Sequence, residues 1–166
     1  VMFTQGGIYM DTDVEVTRNL DEFLVHKGFS GFESETQIPT GIMAGEKGFP
    51  LFEKLLSYYD GRHFLDKNGN QDTTTNVITI TAMLSERGFI PNGKYQVVDE
   101  FALYPRDYFC PLDDSTGVMY DSKNTATIHW FNKSWVPQRL RVRSKITRFF
   151  HRLFGKDCFA FLKKHK

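Results

Sequence analysis

The chain has 166 residues, enough for one ordinary domain and too few for two independent cores. Hydrophobic residues make up 40% and charged residues 25%, close to globular averages, so intrinsic disorder is excluded as the default. The net charge of +1 hides an uneven distribution: residues 1–138 carry 11 Lys/Arg against 19 Asp/Glu, while residues 139–166 carry 10 against Asp157 alone.

In chain order, residues 1–5 read as a last helical turn closed by Gly6 and Gly7, which tolerate left-handed backbone angles. Residues 8–10 are a short apolar run ending in Asp11-Thr12-Asp13, which predicts a buried strand carrying acids at its carboxyl end. Leu20, Phe23 and Leu24 form a short helical patch, and residues 29–32 and 38–44 read as strands broken by glycine. Pro50 opens a helix with Leu51, Phe52, Leu55, Leu56 and Tyr59 on one face. A polar loop over 60–75 precedes a second helix, capped by Asn76 and stopped at Gly88. Residues 95–130 alternate aromatic and β-branched runs with turn clusters at 113–117 and 121–124, which predicts mainly strands.

From Pro137 the pattern changes. Val142, Ile146, Phe149, Phe150 and Leu153 recur at helical spacing among Arg139, Arg143, Lys145, Arg148 and Arg152. The expected organisation is an α/β domain over 1–136 followed by a basic amphipathic helical tail over 137–166. Such a helix suits a membrane surface, where each basic residue near anionic lipid contributes about 1 kcal/mol. Docking of its apolar face on the domain competes with that reading. The acidic body argues against nucleic acid as a partner. Cys110 and Cys158 have no metal-ligand spacing, and neither a signal peptide nor a spanning apolar run stands out. A cytoplasmic protein, peripheral on a membrane at most, is the expectation.

A D-x-D triplet alone says little, because 12 aspartates in this length give about one by chance. Its setting says more, since open α/β sheets build ligand crevices at the carboxyl ends of their strands. If the chain bends there, two carboxylates can share a hard cation such as Mg²⁺ or Mn²⁺. That ion would neutralise a diphosphate leaving group. Asp66-Lys67-Asn68-Gly69-Asn70-Gln71-Asp72 alternates acids and amides like a calcium loop. It places Gln71 where glycine is needed and Val77 where a bidentate Glu is needed, so it reads as a polar loop.

Gly6-Gly7-Ile8-Tyr9-Met10-Asp11-Thr12-Asp13-Val14-Glu15 closely resembles the GGIYxDxDxE signature of DXD-containing glycosyltransferases. These include the yeast-type initiating mannosyltransferases and bacterial capsular polysaccharide sugar transferases. Ile128-His129-Trp130 with Ser134-Trp135 is similar to that family's downstream H…SW segment, so the resemblance covers roughly residues 6–135.

The resemblance implies a GT-A type, Rossmann-like fold and transfer of a sugar from a UDP- or GDP-sugar to a glycan or lipid-linked acceptor, with retention of configuration. It implies Mn²⁺ or Mg²⁺ held by Asp11, Asp13 and His129, the three residues of the catalytic centre. Gly7, Tyr9, Asp11, Ala44, Ser134 and Trp135 would face the donor; Ala44 closes the segment 40–44, which matches a small-residue lining of the sugar pocket. Asp72, Thr74 and Asn76 would lie on the acceptor side, although N-capping explains them equally well. In that family a segment upstream of GGIY supplies the first parallel strands and the base pocket. Here GGIY begins at Gly6, so the expected unit is the C-terminal catalytic portion. A metal-binding or membrane-association module without catalysis is the alternative, and a Mg²⁺-dependent phosphate-handling enzyme is a third.

Overall fold

The computed structural model describes residues 1–39, 41–65, 67–132, 136–155 and 157–159. Its centre is a mixed five-stranded sheet of β1 (Gly7–Met10), β3 (Gly28–Gly31), β4 (Ile42–Gly45), β5 (Gln96–Val98) and β6 (Phe101–Tyr104), in spatial order β1-β4-β3-β6-β5. β3 and β6 run parallel, and the other neighbours pair antiparallel. A separate two-stranded ribbon joins β2 (Val14–Val16) to β7 (Thr127–His129). Helices α1 (Met2–Gln5), α2 (Pro50–Tyr59), α3 (Asn76–Ser85), α4 (Arg106–Phe109) and α5 (Gln138–Phe154) complete an α/β architecture, with one 3₁₀ turn at Asp21–Phe23.

Strand alternation divides the core in two. Met43, Phe101 and Leu103 face one side, where Leu51 and Phe52 of α2 and Ile80 and Leu84 of α3 cover them. Ile42, Ala44 and Ala102 face the other side, against Phe23, Phe29, Phe109 and Ala126. Helices thus cover one face, while α4 and the approach to the ribbon cover the other.

Several expectations hold. α1 ends at Gly6 and Gly7, both at positive φ, and a Cβ on Gly6 would stand 2.6 Å from the Lys47 backbone nitrogen. Pro50 begins α2, and the helical tail begins directly after Pro137. Three need correction. β1 is an edge strand with Gly7, Tyr9 and Met10 exposed, where a buried strand was expected; among the described residues it pairs with β4 alone. Residues 95–130 contain the single-turn helix α4 and extensive loops besides three short strands. Thr75, rather than Asn76, occupies the cap of α3, and the Asn76 amide oxygen instead accepts the Tyr59 hydroxyl at 2.5 Å. Both cysteines are free, and burial pushes the Cys110 thiol up to about 12.

Candidate metal centre

The site is built where β1 leaves the sheet. The Asp11 N–H still donates to the Gly41 carbonyl (2.9 Å), and the Asp11 carbonyl then accepts the Val14 N–H (3.0 Å), closing a tight turn over Asp11–Val14. This turn supplies the bend that a regular strand lacks. β2 follows at once and pairs antiparallel with β7 in a register that sets Val14 opposite His129. A histidine more than a hundred positions away therefore lands at the mouth of the turn. The Trp130 N–H donates to the Asp13 carbonyl (3.0 Å), and the Trp130 indole donates to Glu15 (2.8 Å), locking the ribbon end.

His129 Nε2 lies 3.3 Å from Asp13 Oδ1 and 3.8 Å from Asp11 Oδ2. One ligand atom from each residue can be chosen so that all lie within 4.8 Å of one another. Neighbouring ligands of an octahedral ion with bonds near 2.1 Å stand about 3 Å apart, so a small rotation of Asp11 completes the set. The other oxygen of each acid is already engaged. Asp11 Oδ1 accepts the Tyr9 hydroxyl at 2.6 Å, and Asp13 Oδ2 accepts the Asn132 N–H at 2.8 Å. Each carboxylate is thus oriented by an outer partner and presents one oxygen to the shared point. The hydrogen bond to Asp11, followed by partial burial, raises the Tyr9 phenol above its ordinary value, which keeps it a donor.

The His129 ring is fixed mainly by packing. It stacks on Phe131 with centroids 4.0 Å apart, and its buried Nδ1 has no hydrogen-bond partner among the described residues. Gly41 lies directly behind Nδ1, where a Cβ would approach to 2.7 Å. Two carboxylate oxygens and an imidazole nitrogen form a donor set that could hold one metal ion.

Comparison of the chain with family models, with curated proteins and with solved structures finds no match.

Beside the candidate metal centre lies a cavity of about 310 Å³ that shares Tyr9 and Asp11 with it and continues along Met43, Tyr59, Asn76 and Ile80. Of the expected acceptor-side residues, Asn76 reaches this cavity. Asp72 and Thr74 do not line it: Asp72 pairs with Arg62 at 2.5 Å and accepts the Thr74 N–H at 3.0 Å, shaping the loop before α3. Of the expected donor-side residues, Tyr9 and Asp11 line it. Gly7 and Ala44 face a different cleft beside Lys27 and Glu46, and Ala44 belongs to the opposite core face. Alternation along β4 makes Met43 its lining residue instead. Ser134 and Trp135 lie outside the described residues, as does Thr40.

Sequence reasoning missed Gly41 as the His129 support, the Asn132 N–H, and Tyr59 as a polar cavity group. Only Tyr59 left a signal, as an aromatic with a polar tip at the end of an apolar helical face.

Two outcomes follow. Gly41→Ala pushes the imidazole off its seat, so divalent-metal affinity should fall by about 10–100-fold, the range seen when outer-shell supports are removed. Isothermal titration with Mn²⁺ measures this, with circular dichroism unchanged. For Asp72, the Arg62 guanidinium, with help from Thr74, lowers the carboxyl to about 2. The pair is therefore intact above the ordinary carboxylate range and is lost as pH falls through that value. In Arg62→Ala the Asp72 carboxyl should titrate at higher pH, read by NMR.

Proposed function

We propose that this chain carries the metal and diphosphate site of a GT-A type glycosyltransferase that moves a sugar from a UDP- or GDP-sugar to a glycan or lipid-linked acceptor, with retention. The observation that supports it most is the convergence of Asp11, Asp13 and His129, with Tyr9 and Asn132 orienting the two acids. The motif residues Gly6 to Glu15 that resemble the transferase signature are the same residues that form the turn and hold the acids. Two loosely placed acids in a solvated turn would need neither a histidine brought in by strand register nor outer donors aimed at the distal oxygens.

A bound Mn²⁺ or Mg²⁺ supplies charge neutralisation for the departing nucleoside diphosphate. Asp11, Asp13 and His129 are the three residues that would hold such an ion. Tyr9 holds Asp11 so that Oδ2 points to the shared site, and the Asn132 N–H does the same for Asp13 Oδ1. Gly41 and Phe131 keep the imidazole edge aimed at both. The adjoining cavity offers hydroxyl and amide groups at Tyr59 and Asn76 set among apolar walls, a combination that suits a sugar face.

The test is turnover. The full chain with UDP-glucose, UDP-galactose or GDP-mannose, and water in place of the acceptor, should hydrolyse the donor to free sugar and nucleoside diphosphate in the presence of Mn²⁺ and not in EDTA. Mn²⁺ binding without binding or turnover of any donor would favour the non-catalytic metal-binding module.

A further inference from the structure

Among the described residues, α5 carries an apolar face that stays largely open to solvent, with Phe159 packed against Phe150 at one edge of it (ring centroids 5.7 Å apart). At 3.6 residues per turn, Val142, Ile146, Phe149, Phe150 and Leu153 fall within an arc of roughly 100°, and all five are exposed, Phe149 by 60%. The opposite arc is the one that meets the body. There Arg148 pairs with the Asp114 side chain and carbonyl, and His151 Nδ1 lies 3.2 Å from the Ser115 carbonyl. A cleft between helix and body is lined by Leu140, Ser144, Thr147, Arg148 and His151. The helix thus meets the body through Arg148 and His151, while Val142, Ile146, Phe149 and Leu153 stay exposed.

Charge flanks the apolar arc on both edges. Arg141, Lys145 and Arg152 stand along one edge and Arg143, which also lines the cleft to the body, along the other; Arg139 falls within the arc near the start of the helix, and residues 138–154 contain no Asp or Glu. No helix among the described residues is long and apolar enough to cross a membrane.

From this arrangement we infer that α5 is an interfacial helix that lies flat on an anionic lipid bilayer, with Ile146, Phe149 and Leu153 immersed among the acyl chains and the flanking basic residues on lipid phosphates. Four considerations select this occupant. An apolar centre with basic rims matches the depth profile of a bilayer surface, where hydrocarbon lies beneath phosphate. A nucleic acid offers phosphates but no apolar counterpart for five large side chains in the middle of the face. A second copy packed through the same arc would set Arg and Lys rims beside one another with no acid to offset them. The acidic body, 11 basic against 19 acidic residues over 1–138, is repelled by such a surface, which leaves α5 as the point of contact.

The inference does not depend on the metal centre, and its test is chosen accordingly. The full chain is sedimented in EDTA with vesicles of pure phosphatidylcholine or of equal parts phosphatidylcholine and phosphatidylglycerol. Wild type should pellet with the anionic vesicles and stay in the supernatant with the zwitterionic ones. Ile146→Asp/Phe149→Asp should weaken anionic binding by at least about tenfold, since it places charge in the hydrocarbon layer. α5 buries none of its side chains, so these changes leave the core intact, checked by an unchanged thermal transition. Arg141→Glu/Lys145→Glu/Arg152→Glu should lose binding as well, and Asp13→Ala should bind like wild type.

Three results would overturn the inference. One is a wild type that fails to pellet with anionic vesicles. Another is a double aspartate variant that binds as tightly as wild type. The third is a wild-type dimer that these aspartates dissolve, without vesicle binding.

Discussion

Asp13→Ala should lower Mn²⁺ affinity by more than about a hundredfold and remove metal-stimulated donor turnover in the same step. Outer-shell losses already reach that range, and this substitution removes a ligand of the proposed site. The side chain has two jobs that a second variant separates. Oδ1 faces His129 Nε2 at 3.3 Å, and Oδ2 accepts the Asn132 N–H. Asp13→Asn retains an oxygen for Asn132 but loses the charge. If the residue acts on the metal, both variants fail alike in titrations with Mn²⁺. If it only anchors the segment after β7, the asparagine variant behaves as wild type. The structural cost of either should be small, about 1 kcal/mol for the one hydrogen bond, read as a minor shift of the urea midpoint.

The largest effect on stability is expected at Phe23. It is 1% exposed, and Phe29, Tyr104, Tyr108 and Phe109 surround it with ring centroids 4.8–6.2 Å away. Phe23→Ala removes a ring from the middle of this aromatic cluster and leaves a cavity whose walls sit on β3, β6 and α4, so it cannot collapse cheaply. A loss of about 3–5 kcal/mol follows from comparable truncations, a large part of a small domain's stability. Urea unfolding followed by tryptophan fluorescence measures it. A cost below about 1 kcal/mol would contradict the packing described for this face. Met43 and Leu84 lie across the sheet, so variants there should add to Phe23→Ala nearly independently.

The parts legible in the sequence share one property: their signals are local. α2 is announced by Pro50 and a 3.6-residue period, and α5 by the recurrence from Val142 to Leu153. Glycine at positive φ marks the end of α1. The misread parts depend on partners elsewhere. Whether β1 is buried turns on which strands flank it, and apolar letters at 8–10 are the same for an edge or a centre. α4 is a single turn, too short for a period to register, and it exists because Phe109 must reach Phe23 and Phe29. Asn76 has the composition of a cap, yet a tyrosine 17 residues earlier takes its oxygen.

The candidate site divides in the same way. Asp11, Asp13, Tyr9 and His129 stand in motif positions and converge. Gly41 and Asn132 enter only through the Asp11 turn and the β2–β7 register, which no local pattern encodes. Ala44 was misplaced by a single position, the smallest error that alternation allows and one that moves a side chain to the opposite face.

Asp11, Asp13 and His129 are proposed to bind together one divalent cation that a nucleotide sugar then shares. Calorimetric titration of the full chain with Mn²⁺, with and without UDP- or GDP-sugar, tests it most directly. One Mn²⁺ per chain, tightened by donor and lost in Asp13→Ala and His129→Ala, is the predicted result. Absence of Mn²⁺ binding, or binding that survives both substitutions unchanged, would contradict it.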